Sequence, residues 1–321
     1  MKNIALCGLG NALVDLFVDI EEARFQKLGY ERSTMRLVGA EEQAALLKEL
    51  HAAAPRKASG GSVANSIIAF SQLGGKAAFL SSVGNDEMGK FYREEFATLG
   101  IDFASLALSQ APTGTCVALI TPDAERTMRT CLGATAELNH KHLVEGTIAN
   151  SQWLFIEGYV LSNPELGQSA VREAVRMAKA HNTQIAFTCS EAWVVEGFRS
   201  AVDQVIAASS LVFANETEAR ALTGNSSSGE AAFKILCKTV PNVVVTMGAH
   251  GALVKWNGVE ARISAVPCTP RDLTGAGDML AGAFLAGVLQ GKSVADAGNR
   301  AAQLASRVIS QVGARLQAIN N

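Results

Sequence analysis

The sequence has little net charge and no long apolar run. Its 28 Lys and Arg residues nearly balance its 30 Asp and Glu residues, so the formal net charge is −2. It has no basic tail, arginine-rich stripe or acidic block, which are features that nucleic-acid and membrane-surface binders use. No stretch reaches roughly 18 uninterrupted apolar residues, the length typical of a membrane-spanning helix. The composition therefore predicts neither a nucleic-acid partner nor a membrane partner.

The sequence also lacks closely spaced cysteines and a secretion signal. The amino-terminal stretch MKNIALCGLGNALVD is interrupted by glycines and Asp15, which favours a first β-strand over a signal peptide. None of the six cysteines forms a C-x-x-C pair, which argues against a zinc site or a thioredoxin-like redox pair. We expect reduced, mostly buried thiols in a cytoplasmic protein. The cysteines are Cys7, Cys116, Cys131, Cys189, Cys237 and Cys268.

Short apolar runs alternate with amphipathic helical patterns along most of the chain. Helices between buried strands are typical of βαβ units, which build a mostly parallel sheet covered on both faces. The pattern predicts a doubly wound α/β fold in a single domain of residues 1–321. Helices are predicted within residues 164–182 and 228–240. The predicted strands are residues 3–10, 76–84, 153–160, 184–189, 211–215, 242–248 and 251–256.

Two segments depart from this alternation, at about residues 14–38 and 113–133. The first mixes apolar alternation with charge, and the second has two β-like runs around the turn signal PDAE. Both are compatible with ordinary hairpins at the domain edge. They are equally compatible with a small separate sheet that acts as a lid.

Two glycine clusters in the first part of the chain are candidate ligand loops. Residues 8–11 contain G-x-G but lack the third glycine of the dinucleotide fingerprint, which argues against a nicotinamide-dependent oxidoreductase. Gly60 and Gly61 would let a ligand approach the backbone closely. Asn65 lies one turn into the next helix, where its amide could both donate to and accept from a hydroxyl-rich molecule. The alternative is a tight turn in which Ser62 serves as the helix N-cap.

The third cluster, DLTGAGDMLAG, places glycines and a carboxylate at the start of an apolar helix. The backbone N–H groups of Gly275, Ala276 and Gly277 can converge on an anion, and the helix dipole adds positive potential. Beside such an anion hole, Asp278 could take a proton from a hydroxyl while the hole stabilises a transferring phosphoryl group. A capped helix with closely packed glycines is the structural alternative.

Seven motifs together resemble the ribokinase-like (PfkB) sugar and nucleoside kinases. They occur in the family order and cover nearly the whole chain. The motifs are GLGNALVD, GGSVANSIIAFSQLGG, SSVGNDEMGKFY, PTGTCVALI, NETEA, TMGAHGALV and DLTGAGDMLAGAFLAG.

The resemblance implies a phosphotransferase that moves the γ-phosphoryl of ATP to a substrate hydroxyl with the help of Mg²⁺. Asp278 would be the general base. Asn215 and Glu218 match the family's N-x-x-E motif and would position magnesium, largely through water. The anion hole would comprise Gly275, Ala276 and Gly277, and the nucleotide site would comprise Asn215, Thr246, Gly248, Gly251, Gly275 and Gly277.

Within the family, the chain looks most like the adenosine kinase branch. A nucleoside base needs an apolar slot, for which Tyr159, Trp193 and Met128 are candidates, although each could simply pack at the edge of the core. Arg126 or Arg129 could screen phosphate charge, and the resemblance favours Arg126. The implied substrate-binding residues are Asn11, Asp15, Gly60, Gly61, Asn65, Arg126, Met128, Tyr159 and Trp193.

One residue departs from the family pattern. Leu273 stands where the family usually has Thr or Ser, which removes a hydroxyl donor near the phosphates. The alternatives to a nucleoside kinase are a sugar kinase of the same family, acting on ribose, fructose or a keto-deoxy sugar acid, and a non-catalytic binding protein. The resemblance is compatible with either a monomer or a homodimer.

Overall fold

A computed structural model describes residues 2–32, 34–50, 55–105, 108–123, 125–224 and 226–319. The strands are β1 (Ile4–Leu9), β2 (Leu13–Asp19), β3 (Met35–Leu37), β4 (Arg56–Gly60), β5 (Ala77–Leu80), β6 (Ile101–Ala104), β7 (Gly114–Ile120), β8 (Arg126–Cys131), β9 (Ser151–Glu157), β10 (Gln184–Thr188), β11 (Leu211–Asn215), β12 (Asn242–Thr246), β13 (Ala252–Trp256) and β14 (Val259–Ile263). The α-helices are α1 (Glu22–Leu28), α2 (Ala40–Glu49), α3 (Ser62–Gln72), α4 (Glu87–Thr98), α5 (Glu145–Ala149), α6 (Leu166–Ala180), α7 (Ala192–Gly197), α8 (Arg199–Ala208), α9 (Glu216–Leu222), α10 (Gly229–Thr239), α11 (Ala276–Leu289) and α12 (Val294–Ile309). Short 3-10 helices span Gly133–Glu137, His140–His142, Gly158–Ser162 and Gly248–His250.

The large sheet is built from the apolar runs that alternate with helices. Its strand order is β14-β13-β12-β11-β10-β9-β1-β5-β6, and the pairs from β12 to β6 are parallel. Along β11, Leu211 and Phe213 belong to one core, whereas Val212 and Ala214 belong to the other. Both faces are therefore covered, and the predicted α/β class and all seven predicted strands are confirmed.

A second sheet, here called the small sheet, contains the strands of the two irregular segments. Its order is β3-β8-β7-β2-β4. Because β2 pairs in parallel with β7, the two segments join one sheet rather than forming separate hairpins. Val14 and Leu16 of β2 point into the core with Phe25 of α1 and Leu46 of α2. The strand β4 was not predicted, since its sequence RKASG is short, charged and ends in glycine.

The parallel strands fix where loops from distant parts of the chain meet. The carboxyl ends of β1, β9, β10, β11 and β12 lie at one edge of the large sheet, where ligands bind in open α/β folds. The most apolar helix, α11, has only 14 residues. Among the described residues, no helix combines the length and the apolar character that crossing a membrane requires.

The six cysteines are unpaired. Cys7, Cys116 and Cys189 are buried, as expected, whereas Cys131 and Cys237 are half-buried and Cys268 is exposed.

Candidate active site

A cavity of about 500 Å³ lies between the carboxyl edge of the large sheet and the small sheet. The amino-terminal ends of α3 and α11 also reach it. Most of the predicted site residues line this one cavity, although they come from all parts of the chain. They are Asn11, Asp15, Gly61, Asn65, Arg126, Met128, Tyr159, Trp193, Asn215, Glu218, Thr246, Gly275, Ala276, Gly277 and Asp278.

The segment Leu273–Gly277, here called the anion loop, ends in the first turn of α11. Gly275 has a φ of +80°, and a Cβ at this position would lie 2.1 Å from the carbonyl oxygen of Ala314, so only glycine fits. Gly277, by contrast, faces open space. The first N–H groups of a helix have no acceptor within the helix. The loop and the first turn of α11 can therefore hold an anion in the cavity.

Asp278 is held by two side chains of α3. Its Oδ1 accepts a hydrogen bond from the Ser62 hydroxyl at 2.6 Å, and its Oδ2 accepts one from Asn65 Nδ2 at 3.0 Å. Burial raises the pKa of Asp278 to about 6, although both donors favour the carboxylate. The expected capping role of Ser62 is wrong, because Gly61 occupies the N-cap position and the Ser62 hydroxyl is used by Asp278. Asn65 Oδ1 is buried without a partner among the described residues and remains free to accept.

Asp15 faces the cavity from β2 and packs against glycine backbone. A Cβ on Gly60 would lie 2.6 Å from Asp15 Oδ2, and a Cβ on Gly61, at φ +113°, would lie 2.0 Å from the Asn11 carbonyl oxygen. Gly60 thus makes room for the carboxylate rather than lining the cavity itself. Burial raises the pKa of Asp15 to about 6, and the positive charge of Arg126 partly opposes the rise.

Glu157, at the end of β9, is a buried carboxylate on the cavity wall that sequence reasoning did not identify. Its Oε1 accepts from Asn11 Nδ2 at 2.8 Å, and its Oε2 accepts from the Val63 backbone N–H at 3.0 Å. Burial raises the pKa of Glu157 to about 7. Asn11 Oδ1 in turn accepts from the Thr135 hydroxyl at 3.1 Å. Both polar ends of the Asn11 side chain are therefore engaged by the protein.

Asp272 connects the anion loop to the small sheet, and it also escaped sequence reasoning. Its Oδ2 lies 2.9 Å from Arg126 Nη1, and both side chains are buried. The same carboxylate accepts from the backbone N–H of Thr274 and of Gly313. Arg126 Nε and Nη2 have no partner among the described residues and belong to a side chain that lines the cavity. Arg129 does not line it and lies over the Tyr30 ring instead.

An aromatic wall stands at the carboxyl ends of β9 and β10. The ring centroids of Tyr159 and Trp193 are 6.1 Å apart, and Trp193 is 43% exposed. The Tyr159 backbone N–H donates to the Ser190 hydroxyl at 3.2 Å. Ser190 has a φ of +68°, which is uncommon outside glycine and occurs often at functional sites. Both rings line the cavity.

The small sheet presents apolar side chains to the same cavity. Phe17 on β2, Met35 and Leu37 on β3, and Met128 on β8 all line it. The alternation of a β-strand places them on one face, with Val14 and Leu16 of β2 on the other. Of these side chains, sequence reasoning named only Met128.

Some of the predicted nucleotide residues, such as Asn215 and Thr246, line the cavity, whereas the glycines of the turn after β12 do not. Asn215 and Glu218 form a capping box on α9, in which Glu218 Oε2 and Oε1 accept from the backbone N–H and Nδ2 of Asn215 at 2.9 and 2.7 Å. Burial raises the pKa of Glu218 to about 7. Gly248 and Gly251 do not line the cavity. They shape the turn after β12, where a Cβ on Gly251 would lie 1.9 Å from a backbone oxygen.

Leu273 is the most exposed large apolar side chain among the described residues, at 71%. It lies in the anion loop and lines the cavity. Its apolar side chain therefore stands beside the proposed phosphate position, and nothing in the structure explains it.

Comparison with known proteins identifies the family. The model of the pfkB family carbohydrate kinases matches residues 30–320. The chain belongs to this family. It is similar to an adenosine kinase from Dictyostelium discoideum, with 28% identity covering 99% of this chain and 98% of the relative. It is also similar to a ribokinase from Haemophilus influenzae, with 30% identity covering 74% of this chain and 76% of the relative.

A solved structure shows the same architecture. The adenosine kinase from Sinorhizobium meliloti superimposes with a TM-score of 0.87 and 30% identity, covering 99% of this chain and 97% of that one. The fold is therefore ribokinase-like, and the protein is an ATP-dependent kinase that acts on a small molecule.

Proposed function

We propose that the protein transfers the γ-phosphoryl of ATP to the 5′-hydroxyl of a nucleoside, with adenosine as the acceptor. The apolar part of the cavity carries this proposal. Phe17, Met35 and Met128 on the small sheet and Tyr159 and Trp193 on the other wall would enclose a planar base. A free sugar has no group that requires such surfaces.

The charges around the cavity support a neutral acceptor. Asp15, Glu157, Glu218 and Asp278 are acidic, and Arg126, the one arginine on the cavity wall in the described part of the chain, is already paired with Asp272. A keto-deoxy sugar acid would bring another carboxylate into this group, where the positive charge of Arg126 is already balanced by Asp272, although Arg126 Nε and Nη2 keep N–H donors that no described residue engages. We therefore expect a keto-deoxy sugar acid to be a poorer acceptor than a neutral nucleoside or sugar.

Asp278 is proposed to act as the general base. It takes the proton of the acceptor hydroxyl as the acceptor oxygen forms a bond to the γ-phosphorus, while the bond from that phosphorus to the β,γ-bridging oxygen of ATP breaks. The anion loop stabilises charge on the transferring group through backbone N–H donors. Asp15 and Asn65 Oδ1 accept hydrogen bonds from the ribose hydroxyls and so orient the acceptor.

Magnesium is proposed to bind through water near Glu218 and Asn215. Both oxygens of Glu218 already accept from Asn215, which suits contact through water better than direct coordination. Among the described residues, no group of three or more His, Cys, Asp or Glu side chains is arranged to hold a metal ion. The ion would offset phosphate charge in a cavity rich in carboxylates.

The small sheet is proposed to act as a lid on the single domain of residues 1–321, formed mainly by segments 14–38 and 113–133. It carries the apolar half of the base slot and, through Arg126, reaches the anion loop. Closure would exclude water from the transferring phosphoryl group.

A substrate panel tests the proposed function. The purified protein is given ATP and Mg²⁺ with adenosine, inosine, guanosine, ribose, fructose or a keto-deoxy sugar acid, and ADP release and product mass are measured. We expect adenosine to have the highest kcat/KM and its product to be the 5′-monophosphate. A sugar that exceeds every nucleoside would overturn the nucleoside assignment.

Trp193→Ala is expected to weaken nucleoside binding. Loss of base stacking on an aromatic ring corresponds to about 5- to 150-fold in affinity. The KM for adenosine should rise by this factor while the KM for ATP stays near its original value. Ile235→Ala is the control, because it removes an apolar side chain of similar exposure, 41%, outside the cavity. Equal changes in the KM for adenosine and the KM for ATP would mean that Trp193 packs at the edge of the core and does not bind the base.

Activity is expected to fall as the pH is lowered through about 6, because protonated Asp278 cannot accept the hydroxyl proton. Ser62→Ala removes a donor to the carboxylate and should move the midpoint of the kcat profile to higher pH. Ser71→Ala, at the other end of α3, is the control, since its hydroxyl donates to the Leu99 carbonyl. An unchanged midpoint in Ser62→Ala would contradict the assignment of that midpoint to Asp278.

A further inference from the structure

Gly313, Ala314 and Arg315 are consecutive residues that make contacts in and beside the site. The Gly313 N–H donates to Asp272 Oδ2 at 2.8 Å, and the Ala314 carbonyl oxygen packs directly against Gly275. The next residue, Arg315, turns toward the acceptor side, where its Nη2 lies 2.5 Å from Glu95 Oε1 on α4. The first two contacts support the anion loop, whereas the third lies outside the site described so far.

Glu95 joins Arg315 to the backbone of β4. Its second oxygen, Oε2, accepts from the Ser59 N–H at 2.8 Å. The side chains of Arg315 and Glu95 are 15% and 27% exposed, so solvent weakens their charge interaction less than it would at the surface. Neither residue lines the cavity.

Ser59 begins the short stretch Ser59–Gly61, which leads from β4 into α3. Gly60 stands against the Asp15 carboxylate, and Gly61 lines the cavity beside the Asn11 carbonyl oxygen. Gly60 is also fixed from the other side, because its carbonyl oxygen accepts from the Tyr92 hydroxyl at 3.1 Å. The position of this backbone sets both the room for Asp15 and the start of α3, which carries Asn65.

We propose that Arg315 and Glu95 form a positioning pair that holds the Ser59–Gly61 backbone against the acceptor and thereby determines acceptor affinity. Neither residue touches the reacting atoms. The positive charge of Arg315 also partly opposes the rise that burial causes in the pKa of Asp15. This inference rests on the proposed acceptor site.

Glu95→Gln is the sharpest test. Glu95 must accept from two donors, the Ser59 N–H and the Arg315 guanidinium, whereas glutamine has one accepting oxygen and a donating NH₂. In one of the two contacts, the glutamine NH₂ would therefore face another N–H donor, and that hydrogen bond would be lost. We expect the acceptor KM to rise roughly tenfold or more, as for a lost hydrogen bond to a charged group, with little change in the KM for ATP.

Glu94→Gln is the matched control, because it makes the same chemical change at the neighbouring residue of α4. The Glu94 side chain forms an exposed pair with Lys90, at 3.9 Å. Its kinetics should match those of the original protein. Arg315→Ala should reproduce the Glu95→Gln result, and Arg315→Lys, which keeps the charge, should restore part of the acceptor affinity.

Thermal unfolding is measured for every variant, so that loss of stability can be separated from loss of affinity. A lower Tm for Glu95→Gln with an unchanged ratio of the two KM values would assign the pair to stability alone and overturn the proposal. So would equal kinetics for Glu95→Gln and Glu94→Gln. Failure of the unmodified protein to phosphorylate any nucleoside or sugar would instead contradict the proposed function.

Discussion

Asp278→Asn is expected to lower kcat by about 10²–10⁴-fold, the range typical of a lost general base. The change keeps the size and shape of the side chain, but the amide cannot take the acceptor's proton. Its oxygen can still accept from one of the two α3 donors, Ser62 or Asn65. The fold and the KM for ATP should therefore change little.

Steady-state kinetics with adenosine and ATP, together with a thermal unfolding curve, provide the measurement. Asp296→Asn is the control, since Asp296 is exposed in the first turn of α12, where its Oδ2 accepts from the Ser293 hydroxyl. If Asp278→Asn turned over within a few-fold of the original protein, Asp278 would not be the general base. Another group would then have to take the proton from the substrate hydroxyl.

Seven of the nine strands of the large sheet could be predicted because they are locally distinctive, whereas β6 and β14 were not predicted. Runs such as LVFAN and NVVVT are buried on both faces, so apolar residues fill the inner positions and polar residues such as asparagine and threonine stand at the ends. The strand β4 has no such signal. Its place in the small sheet depends on pairing with β2, a contact between segments that are distant in sequence.

Site residues could be predicted where one short motif contains both the residue and the local structure that gives it a role. Asp278 and the anion loop are adjacent in sequence, and the helix start explains them together. Glu157, Asp272 and Arg315 are different. The partners that explain them, such as Val63, Arg126 and Glu95, lie tens or hundreds of positions away. This holds even for Asp272, although it begins the DLTGAGDMLAG motif. A carboxylate ending an apolar strand beside glycine, as Glu157 does, was the one available signal.

Ser62 shows how local reasoning can choose the wrong partner. A serine at the start of a helix usually accepts from the backbone, and nothing in the adjacent sequence contradicts that. Here α3 and α11 pack together, and the hydroxyl finds Asp278, 216 positions away, at 2.6 Å. Tertiary packing therefore converted an expected cap into a residue that orients the proposed base.

Arg126→Met is expected to lower the free energy of unfolding by about 3–5 kcal/mol, because it leaves Asp272 buried without its counter-charge. The Arg126 guanidinium lies 4.9 Å from the centroid of the Phe17 ring. Methionine keeps much of the aliphatic length, so the loss of packing there is limited. Asp272 would retain the backbone donors of Thr274 and Gly313, and for this reason we do not expect complete unfolding. Phosphoryl transfer should also fall, since the proposed lid loses its contact with the anion loop.

Chemical denaturation of single and double variants measures the coupling between the two charges. Asp272→Asn alone leaves the Arg126 guanidinium buried and unpaired, so it should also be strongly destabilising. The double variant Arg126→Met/Asp272→Asn should lose much less than the sum of the single losses, because neither buried charge remains. Arg36→Met is the control in the same small sheet, where an exposed pair with Glu31 at 3.5 Å should contribute little. Additive losses in the double variant would mean that the two side chains stabilise the fold independently, and the small sheet would then owe its position to apolar packing rather than to this ion pair.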